Sequence, residues 1–132
     1  RGEGRWREIA GAPVFLRHIQ KMKHLSAARL AFIDVVNFVA GNTKASPNAV
    51  FSGSVPYLML TGYVLGGWHL ARAALVCSAA QRESRATPFT QNKFATAVFY
   101  AGSILPRVQA LNLALSQGAV MTEALTRSDL TV

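Results

Sequence analysis

The stretch PYLMLTGYVLGGWHLARAAL, residues 56–75, decides how this chain is to be read. It lies in a run, residues 45–71, that contains no Asp, Glu, Lys or Arg, and it carries Gly62-x-x-x-Gly66. A charge-free run with a small-residue seam fits a membrane span, and it fits equally a tightly packed helix of a bundle. Residues 49–68 supply the length of a span. Their content is diluted by Ser52, Ser54, Thr61 and glycines, Pro56 interrupts them, and Arg72 follows within the same periodic pattern. The run therefore reads as the central helix of a bundle, not as a membrane span.

The flanking segments supply its neighbours. Pro13, Pro47 and Pro88 each precede a long apolar-periodic segment, and Ser46 and Thr87 stand before the last two of these prolines. Proline suits a first helical position because its missing N–H would have no partner there, and a preceding hydroxyl accepts from an orphan backbone donor. Gly41 to Ala45 closes the first segment, and Gln81 to Arg85 closes the second. In the first, Met22, Leu25, Phe32, Val36 and Val39 fall on a helical stripe; in the third, Ala97, Tyr100, Ile104, Val108, Leu111 and Leu115 do so. The middle segment is apolar nearly all round and reads as the most buried. No period-two alternation supports a sheet.

The predicted fold is all-α: an elongated up-down-up bundle of three long helices, with a possible short extra helix at a terminus. Pro56 and Pro106 are expected to kink or locally break their helices. Residues 1–12 read as a linker from a preceding domain, 13–117 as the bundle, and 118–132 as a C-terminal tail or short helix. The chain opens on Arg1 with no initiator Met, so a piece of a longer polypeptide is expected.

A net charge of +8 invites a polyanion, but the bases are spread along the chain and no aromatic platform alternates with them, so no nucleic-acid partner is expected. Cys77 is the only cysteine, which excludes an internal disulfide and a cysteine-rich zinc site. A reducing, cytoplasmic setting follows as the default. The six acids are Glu3, Glu8, Asp34, Glu83, Glu123 and Asp129, and no two share a helical i, i+3 or i, i+4 relation. Paired-carboxylate catalysis and di-metal sites have no footing in that spacing. His18, His24 and His69 lack a second ligand at metal spacing, and the glycines after residue 61 follow no strand and precede no phosphate-binding lysine.

The residues with interaction character are the basic Arg17 and Lys21; the seam Gly62, Gly66 and Gly67; Trp68 with Arg72 one turn on; and Lys93 with Tyr100 two turns on. Asp34, set between Ile33 and Val35, reads as a buried carboxylate paired with Arg29 or Arg72. Cys77 reads as a small core residue.

Tyr57, Leu58, Leu60, Gly62, Gly66, Gly67, Trp68, Ala71, Arg72 and Ala74, followed by Lys93, Ala97, Phe99, Tyr100, Leu105 and Pro106, resemble the extra C-terminal helical domain of acyl-CoA dehydrogenases. The resemblance covers about the last two-thirds of the chain; the first helix matches only in character. It implies a full-length, FAD-dependent enzyme of fatty acid metabolism that oxidises acyl-CoA to 2-enoyl-CoA. The catalytic residues and flavin contacts would lie outside this chain. The implied role of the chain itself is non-catalytic: packing on the catalytic core or the partner of a homodimer, near bound acyl-CoA, and shaping the substrate entrance. No FAD is expected to bind this chain alone, no catalytic residue can be assigned, and no metal is expected. The alternative is a free-standing helical adaptor or regulatory bundle.

Overall fold

The computed structural model describes the backbone of residues 13–128 and the side chains of residues 23–122 and Ala124. The described residues form helices and turns without a strand. In chain order the helices are α1 (Pro13–Asn42), α2 (Pro47–Ser52), α3 (Ser54–Arg82), α4 (Pro88–Ser103) and α5 (Arg107–Ser128). They make three rungs: α1, then α2 with α3, then α4 with α5. The expected linker at residues 1–12 lies outside the described residues.

Both internal prolines break a helix. Pro56 has no N–H to offer the carbonyl of Ser52 and its ring would crowd that group, so α2 ends at Ser52 and α3 restarts after Gly53. Gly53 is buried, and a Cβ there would run into the Leu115 side chain, so the third rung packs directly against this break. Pro106 likewise divides α4 from α5. At that break the N–H of Leu105 bonds to Tyr100 (3.1 Å) instead of to Ala101. The carbonyl released on Ala101 faces His24 Nδ1 at 3.2 Å, and an N–H on that nitrogen donates to it. The first rung thus seals the defect in the third.

The rung directions follow from these pairings. Gly53 faces Leu115, Gly66 faces Tyr100 and Gly67 faces Leu105, so α3 runs antiparallel to α4 and α5. Helix α5 runs from Arg107 through Gly118 to Ser128, so the described part of the expected tail or short helix continues the third rung.

Helix ends carry their own chemistry. At α4 the Thr87 hydroxyl accepts from the Thr90 N–H (3.3 Å) while the Thr90 hydroxyl accepts from the Thr87 N–H (2.9 Å), a reciprocal box. At the end of α3, Arg85 N–H bonds to Ala80 (2.8 Å) and Ser84 N–H to Gln81 (3.3 Å), with Ser84 at φ 55°. That is a Schellman turn with serine in the left-handed position glycine usually takes.

The core is built of Ala28, Ala31 and Val35 from α1, Leu60 and Val64 from α3, and Leu105, Val108 and Leu115 from the third rung. Leu25, Phe32, Val39, Tyr57, Tyr63, Tyr100 and Leu111 close around them. Complete burial of Leu60, Leu105 and Val108 contributes about 1.5–3 kcal/mol each. Cys77 is buried, as a small core residue is. Of the expected α1 stripe, Leu25, Phe32 and Val39 pack against the core while Val36 is at the surface, and Ala28, Ala31 and Val35 are the buried residues beside them. Among the described residues one stretch, Lys23–Asn42, is long and apolar enough to cross a membrane; its Ala28, Ala31 and Val35 belong to the bundle core.

Candidate functional site

Two of the three seam glycines are covered from within the chain. A Cβ on Gly66 would come 2.7 Å from the Tyr100 hydroxyl, and one on Gly67 would come 2.7 Å from Leu105 Cδ2. The missing side chains let α3 meet the break between α4 and α5 closely. Tyr100 then reaches across Gly66 and donates its hydroxyl to the Tyr63 carbonyl at 3.1 Å. Burial, and secondarily the charge of Tyr63, raise the Tyr100 pKa above its ordinary 10.0. Gly62 differs: nothing lies within 4 Å of its Cβ position, and the residue is exposed. Within this chain Gly66 and Gly67 therefore have a close neighbour, and Gly62 has none.

The central rung holds the most buried residues among those described, but it is buried on one side only. Phe51 on α2, and Val55, Leu58, Leu65, Trp68, Leu75 and Val76 on α3, are exposed, Leu58 and Leu75 at 72%. Positions 55, 58, 62, 65, 69, 72 and 76 advance by three and four along α3, so they share one side of that helix. The opposite side, with Leu60, Val64 and Gly67, is in the core. Composition counts the apolar residues of a helix; it does not count the neighbours available to bury them.

Trp68 and Arg72 do come together. The guanidinium carbon lies 4.9 Å from the indole centroid, and His69 meets the same indole edge-on at 4.9 Å. Both Trp68 and Arg72 are exposed, so this is a surface cation–π pair. Lys93 is exposed, while Tyr100 is committed to Tyr63 and Gly66, so that expected pair is not a joint site. Asp34 is also on the surface, and the ion pair among the described residues is Arg85 with Glu83. Its misreading has a simple cause. Residues i±1 on a helix point about 100° away, so apolar Ile33 and Val35 say little about the surroundings of Asp34. The side chains of Arg17 and Lys21 lie outside those described.

Among the described residues no three His, Cys, Asp or Glu side chains gather at metal-binding range. No described polar or charged residue is buried, and no buried side-chain nitrogen or oxygen lacks a partner.

The model of the family described as "Acetyl-CoA dehydrogenase C-terminal like" matches residues 14–126, through all five helices. The chain belongs to that family. A relative named "3-methylmercaptopropionyl-CoA dehydrogenase", from Ruegeria pomeroyi, is 35% identical over 88 residues, which is 67% of this chain and 15% of the relative. The chain thus spans a small part of that protein's length. No solved structure matches it. The match places the described helices within an acyl-CoA dehydrogenase C-terminal domain, the kind of domain that the pattern from Tyr57 to Pro106 resembles.

Proposed function

We propose that this domain is a non-catalytic part of an FAD-dependent acyl-CoA dehydrogenase, packing on the catalytic core or the partner subunit and shaping the substrate entrance. The family match, the relative's name and its much greater length support this reading. The observation that carries it is the uncovered apolar row of α2 and α3. Contiguous apolar surface of this kind marks a face made for another protein surface.

In the full-length enzyme, bound FAD would supply the oxidant, taking two hydrogens from the acyl chain to leave the 2-enoyl thioester. The described residues do not fit the flavin: the interior holds no buried polar side chain and no unpartnered polar atom to receive it. The work left to this chain is positional. The basic face around Arg17 and Lys21 would meet acidic surface of the core or lie near the CoA phosphates, and cytoplasmic residence is part of the same reading.

The test uses the full-length protein and the isolated chain side by side. Full-length protein is expected to hold FAD and to convert an acyl-CoA to its 2-enoyl form; the isolated chain is expected to do neither. Turnover by the isolated chain, or a full-length protein without flavin, would contradict the proposal. Replacing Arg17 and Lys21 with Glu in the full-length enzyme is expected to change KM for the CoA ester or the oligomeric state. If both stay as they are, the basic face has neither role.

A further inference from the structure

We draw no further inference here: the strongest candidate, the open apolar side of α3 from Val55 to Val76 with Gly62 bare between Leu58 and Leu65, carries none because nothing in the structure shows what covers it.

Discussion

Gly62 and Gly67 lie five residues apart on one helix in opposite surroundings, and substitution separates them. Gly62→Ala adds a methyl group to open space and relieves glycine's helix penalty, so it is expected to raise stability by about 0.5–1 kcal/mol. Gly67→Val drives its side chain into Leu105 and is expected to cost about 1–3 kcal/mol. Urea unfolding of the two variants checks the pair; a loss at Gly62 or a gain at Gly67 would mean the helices meet differently. Tyr100 adds a pH dependence. Its raised pKa means the folded state favours the neutral hydroxyl, so this contribution is complete below pH 10.0 and is lost as pH rises through the folded value above it. Tyr100→Phe is expected to remove that alkaline loss and to cost about 0.5–1.5 kcal/mol at neutral pH through the missing bond to Tyr63. An unchanged alkaline limb in Tyr100→Phe would assign the loss to other groups. The glycine seam was legible in the sequence, but the difference between Gly62 and its neighbours was not, because it depends on where Pro106 ends α4.

Elements begin and end here by local rules, and these were the most readable part of the sequence. Pro47 and Pro88 open helices α2 and α4 as their positions predicted, and the box between Thr87 and Thr90 gives the last start its mechanism. Thr87→Ala is expected to cost about 1 kcal/mol by orphaning a backbone donor of α4. The end of α3 is less favourable: Ser84 holds φ 55°, where a Cβ is strained. Ser84→Gly is expected to stabilise by about 1 kcal/mol, seen as a raised Tm; a lowered Tm would show that the hydroxyl matters more than the strain. Pro56 and Pro106 announced breaks, yet how each break is healed was hidden. Gly53 against Leu115, and His24 against the freed Ala101 carbonyl, are contacts between distant segments that no local pattern encodes. For the same reason the core line on α1 runs through Ala28 and Ala31. Close approach favours small residues, while a search for periodic large ones passes over Ala28 and Ala31 and is drawn to Val36.

For the whole molecule the feature that matters is asymmetry. The bundle buries one side of its central rung and leaves the other, with Leu58 and Leu75 mostly exposed, to the surroundings. A sequence read alone cannot divide these sides, since both are apolar and helical. The family likeness was legible because its pattern runs through the seam and the break, and membership in the acetyl-CoA dehydrogenase C-terminal-like family bears it out. The account's central claim is that this domain supports a flavoenzyme without carrying its chemistry. An anaerobic titration with an acyl-CoA, following flavin absorbance in the full-length protein and in a variant lacking residues 13–128, tests it most directly. The account predicts flavin reduction in both, with a weaker apparent affinity or altered oligomeric state in the shortened form. Flavin that stays oxidised in the full-length protein would contradict it, as would a shortened form in which flavin is bound normally but no longer reduced.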